Sequence, residues 1–287
     1  MHFVKMHGCG NDYIFVDCFR EGEDHDWPRL AKEISDRHWG IGSDGLILVM
    51  PPHSGDADFR MRMFNSDGSE GEMCGNGIRC FARYVFEHGL TRKTHLEVET
   101  LAGMIRPDLI LRDGSVTAVR VDMGVPSLRR EDIPMQGEPG SSALGETLLV
   151  KGKPYTFGAV SMGNPHCVIF VEDVAGVPLA EIGPVIENLP MFPRRTNVEF
   201  VQVLGRELLR MRVWERGAGI TMACGTGACA SAVASHKMGF TGNHTQVVAD
   251  GGTLEVEWAG NGRVYLTGPA EKICTGVFTR WKEDQKS

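Results

Sequence analysis

Apolar and polar residues alternate with period two along much of this chain, as in Leu254-Glu-Val-Glu-Trp258. That alternation marks strands with one buried face. The pattern, with its turn residues, predicts strands over Ile14–Asp17, Leu46–Met50, Phe59–Phe64, Leu96–Thr100, Val116–Asp122, Cys167–Val171, Val198–Val203, Leu208–Trp214, Thr253–Trp258 and Val264–Thr267. Helical periodicity is rarer. It predicts a helix over Pro28–Trp39, with proline near the first turn. A second runs over Gly77–His88, with Ile78, Phe81, Ala82, Val85 and Phe86 on one face and Gly89 as its stop. A third runs over Gly227–Met238 and stops at Gly239; it is apolar nearly all round until His236-Lys237, as buried helices are.

Two stretches of this pattern repeat. Arg60-Met-Arg-Met-Phe64-Asn65 is followed, nine residues after Asn65, by Cys74-Gly-Asn-Gly77. Arg210-Met-Arg-Val-Trp214-Glu215 is followed, nine residues after Glu215, by Cys224-Gly-Thr-Gly227. The offset is constant at 150 residues (224 − 74), and Gly89 and Gly239 keep it. A weaker echo links Gly10-Asn11 before Ile14-Phe-Val-Asp17 to Gly163-Asn164 before Ile169-Phe-Val-Glu172. The expected fold is therefore α/β of the α+β type. It has two pseudo-symmetric halves, each a mixed β-sheet or barrel wrapped around a central helix, with the active site in the cleft between them. The halves are expected at 1–123 and 124–269, with the Pro- and Gly-rich stretch Met123–Gly145 as the connection. The polar residues Lys282–Ser287 read as a frayed tail.

The chain has 287 residues and a net charge of −7, enough for two ordinary domains. The acidic balance points away from a nucleic-acid partner. No apolar run approaches the ~18 residues of a membrane span. The N-terminus lacks the apolar core of a signal peptide, so the expected location is cytoplasmic. In that compartment the eight cysteines are expected as free thiols. The spacings Cys74/Cys80 and Cys224/Cys229 are wider than the usual zinc pairs, and no metal site is expected. Gly40-Ile-Gly42-Ser-Asp-Gly45 fits the dinucleotide fingerprint letter for letter, but it follows a helix and precedes a strand. The fingerprint needs the reverse order, so this is a turn and no NAD is expected.

The cysteine loops carry the chemistry. A thiol at a helix N-terminus feels the positive end of the macrodipole, which favours its thiolate. Glycines 75, 77, 225 and 227 let a ligand approach backbone N–H groups that can hold a carboxylate. Two such loops on related halves suit an acid and a base on opposite faces of one carbon, which is the requirement for stereoinversion. The thiols must hold different protonation states. Glu215 and His166 are the candidate tuning groups, and the counterpart of Glu215 is the neutral Asn65. By itself His166 reads more readily as a structural histidine, and Glu215-Arg216 as an exposed ion pair.

Asn65-Ser-Asp-Gly-Ser-Glu-Gly-Glu-Met-Cys74-Gly-Asn-Gly-Ile-Arg79 closely resembles the signature of diaminopimelate epimerases. The resemblance extends through Lys5 to Asp12, Ser161 to His166, Thr196-Asn197-Val and Glu215 to Ala230. It implies a cofactor-independent two-base epimerase acting between LL- and meso-diaminopimelate, in lysine and peptidoglycan precursor synthesis. It also implies a homodimer, and a C-terminal strand within 270–287 that returns to the first half. Carried over, Cys74 and Cys224 are the acid–base pair, with Cys224 abstracting in the LL to meso direction. His166 and Glu215 tune the two thiols. Gly75, Asn76, Gly225 and Thr226 hold the reacting carboxylate; Asn11, Asn65, Asn164, Asn197, Glu215 and Arg216 read the other end. One position departs: Gly45 stands where some members carry a substrate-contacting Gln. The nearest rival in class is a proline or hydroxyproline racemase-like enzyme. A Cys–His hydrolase using Cys74 and His166 is a rival of another class, and so is a non-catalytic binding module of the same fold.

Overall fold

The computed structural model describes residues 1–279 of the chain. In chain order its elements are β1 (His2–Gly8), β2 (Asn11–Asp17), α1 (Cys18–Glu21), α2 (Trp27–Ser35), β3 (Gly45–Met50), β4 (Phe59–Asn65), β5 (Glu70–Gly71), α3 (Gly75–Glu87), β6 (Val98–Thr100), β7 (Gly103–Ile105), β8 (Pro107–Arg112) and β9 (Ser115–Asp122). There follow β10 (Leu144–Val150), β11 (Lys153–Ser161), β12 (Pro165–Phe170), α4 (Leu179–Glu187), β13 (Asn197–Gly205), β14 (Leu208–Glu215), β15 (Gly219–Thr221), α5 (Gly225–Lys237), β16 (His244–Ala249), β17 (Gly252–Trp258), β18 (Val264–Gly268) and β19 (Glu271–Val277). The chain divides into two units, Met1–Val121 with the residues from Gly268 onward, and Asp122–Thr267.

In the first unit the sheet order is β19-β1-β2-β3-β4-β6-β7, with β5 beside β4. The pairs β2/β3 and β4/β6 are parallel, and β1/β2, β3/β4 and β6/β7 are antiparallel. In the second unit the order runs β10-β11-β12-β13-β14-β16-β17-β18, with β15 beside β14. There β12/β13 and β14/β16 are parallel, and β11/β12, β13/β14 and β16/β17 antiparallel. The two successions match strand for strand, from β1 with β11 to β7 with β17. Parallel neighbours need a crossover. Helices α1 and α2 supply the first in one unit and α4 in the other; α3 and α5 supply the second.

Strand parity sorts the side chains between these helices. In the first unit Ile14, Val16, Leu46 and Leu48 pack with Trp27, Leu30 and Ile34 of α2. The alternate positions face α3, where Phe15 stacks on Tyr84. Strand β3 is consequently buried at every residue, and its sequence is a continuous apolar run rather than an alternation. In the second unit Cys167, Ile169, Val198 and Phe200 pack with Leu179, Ile182 and Ile186 of α4. Residues of opposite parity, His166 and Glu199, are left for the α5 side.

Several elements differ from the sequence expectation. Helix α2 ends at Ser35 rather than Trp39, because the Asp36 carboxylate accepts from the backbone N–H groups of His38 and Trp39 at 2.8 and 2.7 Å. Such side-chain turns compete with the helix. The fingerprint-like stretch after it is a turn: Gly42 has φ +79°, and β3 begins at Gly45. Helices α3 and α5 each begin two residues earlier than expected, directly after a cysteine. Helix α4 was hidden by Pro184 inside it. Strands β1 and β10 were hidden by mixed polar patterns. The stretch Met123–Gly145 is no bare connection: Ile133, Met135 and Ala143 lie in the core of the second unit. Its Pro and Gly residues mark irregular backbone, exposed at Gly137, Pro139, Gly140 and Gly145, between those buried anchors. The tail Lys282–Ser287 lies outside the described residues, and the C-terminal strand expected within 270–287 is described as β19.

Candidate active site

The two candidate acid–base cysteines each cap a helix. Cys74 is the N-cap of α3, with φ −133° and ψ 122°, and its sulfur accepts from Gly77 N–H at 3.4 Å. Cys224 is the N-cap of α5, with φ −120° and ψ 117°, and accepts from Gly227 N–H at 3.3 Å. Both backbones are extended at this residue, as an N-cap requires, and the sulfur takes the place of the usual Ser, Thr or Asp oxygen. Gly75-Asn76 and Gly225-Thr226 supply the first two N–H groups of each helix. Such groups have no acceptor within the helix.

The helices sit close on the sheets because of one glycine each. A Cβ on Gly77 would lie 2.7 Å from Cδ1 of Ile47, and one on Gly227 would lie 2.7 Å from Oε1 of Glu199. Ile47 is two residues beyond Gly45, which pairs with Tyr13; Glu199 is two beyond Asn197, which pairs with His166. Equivalent positions of the two units therefore hold an isoleucine under one cysteine loop and a carboxylate under the other.

Around Cys74 the polar groups lock one another. Arg79, wholly buried, donates to Gly75 O at 2.9 Å, Pro269 O at 3.2 Å and Asn76 Oδ1 at 2.9 Å. Guanidinium has no acceptor, so Asn76 turns its oxygen to Arg79 and its Nδ2 to Asn11 Oδ1, at 3.2 Å. Asn11 Nδ2 in turn donates to the Asp44 carboxylate at 2.6 Å. The Asn11 oxygen is thereby aimed at the Cys74 sulfur, 3.4 Å away. The Tyr13 hydroxyl donates to the same sulfur at 3.2 Å. Asn65 ends β4 and donates to Ser69 Oγ at 2.9 Å.

Around Cys224 the network is ionisable. His166 and Glu199 are both wholly buried; Nδ1 of His166 lies 2.7 Å from Oε1 of Glu199, and its Nε2 lies 2.9 Å from Asn164 Oδ1. Asn164 Nδ2 donates to Thr226 Oγ1 at 3.3 Å, and that hydroxyl is 3.4 Å from the Cys224 sulfur. Glu215, at the end of β14, accepts from the Thr221 hydroxyl. Burial, then the charge of Glu199, raise its carboxyl above the ordinary value, while bonds from Thr221 and Cys224 oppose this. Burial, then the charges of Glu215 and Glu199, push the Cys224 thiol well above its ordinary value.

The expected tuning residues, His166 and Glu215, thus both belong to the Cys224 unit. Asn197 uses its amide on backbone, donating to Pro165 O and accepting from Arg216 N–H, each at 2.9 Å. It fixes where Arg216 leaves the strand. Arg216 is exposed and donates to Arg194 O at 3.1 Å. Gly45 is buried, and a Cβ there would collide with Phe64 O, so a larger residue at this position requires a different backbone path. Sequence reasoning missed Tyr13, Asp44, Arg79, Glu199 and Thr221. The signal for Tyr13 and Glu199 was parity: each stands two residues after a singled-out asparagine on a strand.

Four further thiols, Cys9, Cys18, Cys80 and Cys167, are buried and fit structural roles. Cys80 and Cys18 are pushed up to about 12 by burial, and burial raises Cys9 and Cys167 as well. Among the described residues no helix is long and apolar enough to cross a membrane.

Comparison with known proteins points one way. The profile of the family described as "Diaminopimelate epimerase" matches residues 3–129 and 158–273. The chain is 58% identical over 279 residues to a diaminopimelate epimerase of Moorella thermoacetica, covering 97% of this chain and 99% of that protein. It is 55% identical over 279 residues to one of Pelotomaculum thermopropionicum, with the same coverage of 97% and 99%. Among solved structures, a PhzF-family phenazine biosynthesis protein of Bacillus anthracis superposes with TM-score 0.69 at 18% identity, covering 96% of this chain and 98% of that one. A hydroxyproline epimerase of Agrobacterium vitis with bound trans-4-hydroxy-L-proline superposes with TM-score 0.68 at 17% identity, covering 96% and 91%. At such identities these two structures speak for the fold alone.

Proposed function

The chain belongs to the diaminopimelate epimerase family, and from that premise we propose that it interconverts LL- and meso-2,6-diaminopimelate by proton exchange between Cys74 and Cys224. The observation that carries this reading is the duplicated cap. Two related halves each present one cysteine sulfur at the N-terminus of a central helix, on a matching glycine turn.

Inversion at an α-carbon needs a base for one face and an acid for the other. In the LL to meso direction Cys224 takes the proton and Cys74 returns one; the reverse exchanges the roles. The carbanion left after abstraction spreads its charge into the α-carboxylate. Gly75, Asn76, Gly225 and Thr226 offer helix N-terminal N–H groups to that charge. The chemistry uses no cofactor. Asn11, Asn65, Asn164, Asn197, Glu215 and Arg216 bind the substrate, and recognition of its distal amino-acid group by Glu215 and Arg216 distinguishes diaminopimelate from smaller amino acids. Binding energy from that distal end is available at the reacting carbon.

The enzyme acts as a cytoplasmic homodimer in the supply of lysine and peptidoglycan precursor. Purified protein incubated with LL-diaminopimelate, followed by separation of stereoisomers, tests the reading. Conversion to the meso form is expected, with neither L-proline nor trans-4-hydroxy-L-proline epimerised. Turnover of the prolines and not of diaminopimelate would move the assignment to the racemase-like alternative.

A further inference from the structure

We propose that Tyr13 is a catalytic residue of this reaction: its hydroxyl donates a hydrogen bond to the Cys74 sulfur and favours the thiolate that takes the α-proton. The inference rests on Cys74 being one of the two bases.

The geometry carries it. The Tyr13 oxygen is 3.2 Å from the Cys74 sulfur, and the residue is only 5% exposed. Tyr13 O–H and Gly77 N–H donate to the sulfur, and Asn11 Oδ1 stands beside it as an acceptor. Donors serve the thiolate and the acceptor serves the thiol, so both states of an acid–base residue are provided for. The acceptor cannot rotate into a donor, because Arg79 and Asp44 fix the Asn76 and Asn11 amides from either end.

The seat of the ring is also specific. Tyr13 pairs with Gly45, and a Cβ on Gly45 would lie 3.2 Å from Cε1 of Tyr13. The glycine that departs from the family pattern lies against the tyrosine edge. In the second unit the place of Tyr13, two residues after the asparagine on the matching strand, is held by His166. One thiol therefore has a phenol and the other a histidine–carboxylate pair. This answers what serves Cys74 when both expected tuning groups lie in the Cys224 unit.

The charged and titratable groups around the pair leave the donor intact. Asp44 faces Tyr13 from the segment before β3, but its carboxylate is taken up by Arg37 and the Asn11 amide. Arg79 and Cys80 face inward from α3, and the first turn of α3 carries no acidic residue. Burial, then the charge on Cys74, push the Tyr13 hydroxyl well above its ordinary value, so it remains a donor across the working pH range. In the meso to LL direction, where Cys74 is the base, the α C–H bond breaks, its proton goes to the Cys74 sulfur, and its electron pair stays on carbon until the Cys224 thiol returns a proton. The Tyr13 O–H bond remains whole throughout.

The test is the pH dependence of iodoacetamide alkylation at Cys74 and at Cys224, each read from its own peptide by mass spectrometry, in wild type and Tyr13→Phe. The midpoint for Cys74 is expected to rise by about one pH unit, a roughly tenfold smaller thiolate fraction at neutral pH, with the Cys224 midpoint unchanged. Uniform replacement of tyrosine by 3-fluorotyrosine, a stronger donor of nearly the same size, is expected to lower the Cys74 midpoint. An unchanged Cys74 midpoint in both proteins would overturn the proposal and reduce Tyr13 to a packed residue. Because alkylation needs no substrate, that failure is separate from a failure of wild type to epimerise diaminopimelate.

Discussion

Nδ1 of His166 lies 2.7 Å from Oε1 of Glu199, and neither side chain is exposed at all. The pair sits beneath the turn that caps α5, with the Glu199 oxygen where a side chain on residue 227 would begin. The second oxygen, Oε2, has no hydrogen-bond partner among the described residues. Glu199 is thus committed to the histidine on one side and lends its charge to Cys224 on the other. Truncation to Glu199→Ala strands a buried ring nitrogen and is expected to cost about 3 kcal/mol in urea unfolding. Glu199→Gln keeps an acceptor oxygen and is expected to cost less than half of that. Equal losses for the two variants would show that volume, not the hydrogen bond, is what matters at this site.

The two glycines under the caps separate packing from chemistry. Gly77→Ala presses on the end of a flexible isoleucine, and Gly227→Ala presses on the Glu199 carboxylate. Overpacking of this kind costs about 1–3 kcal/mol. Similar losses in melting temperature are expected from both, with the larger loss in kcat from Gly227→Ala. Parallel losses of stability and kcat in the two variants would disconnect Glu199 from catalysis.

Cys224 is held as a thiol by burial and by the charges of Glu215 and Glu199. Glu215→Gln removes one of those charges, and the sign follows directly: the thiolate becomes easier to form. The alkylation midpoint of Cys224, followed in a Cys74→Ala background, is expected to move to lower pH. A midpoint that stays or rises would mean that Glu215 acts on substrate alone.

Stability in acid depends on Asp12. Burial works to raise its carboxyl, but hydrogen bonds from Arg37 and Lys5, at 2.8 Å each, outweigh burial and hold it below the ordinary 3.8. A depressed carboxyl contributes stability above its unfolded value and loses it as pH falls through the folded one. Wild type is therefore expected to exceed Asp12→Asn in urea unfolding at pH 7, with the gap closing below pH 3.8. A gap that is constant with pH would assign the effect to packing.

What the sequence disclosed and what it hid follow from the kind of signal each residue carries. The duplication was legible because Cys74 and Cys224 sit in glycine turns whose spacing is covalent. The central helices were legible because α3 has a clear apolar stripe and α5 is apolar nearly all round. Glu199 was hidden because a lone charged residue in an apolar strand reads as a solvent-facing position, whereas strand parity turns it inward under α5. Tyr13 was hidden for the opposite reason, since it reads as one more core aromatic until its hydroxyl is placed. Arg79 and Asp44 act across separations of 70 and 33 residues, on Cys9 and Asn11, which no local pattern reports.

The claim that one thiol removes the α-proton while the other returns one to the opposite face is tested most directly by isotope exchange. LL-diaminopimelate is incubated in deuterium oxide with wild type, Cys74→Ala and Cys224→Ala, and deuterium at the α-carbon is read together with stereochemistry. Wild type is expected to form the meso isomer with deuterium at the inverted centre. Each alanine variant is expected to lose interconversion by about 10²–10⁴-fold. Either variant forming meso product at the wild-type rate would contradict the two-base account.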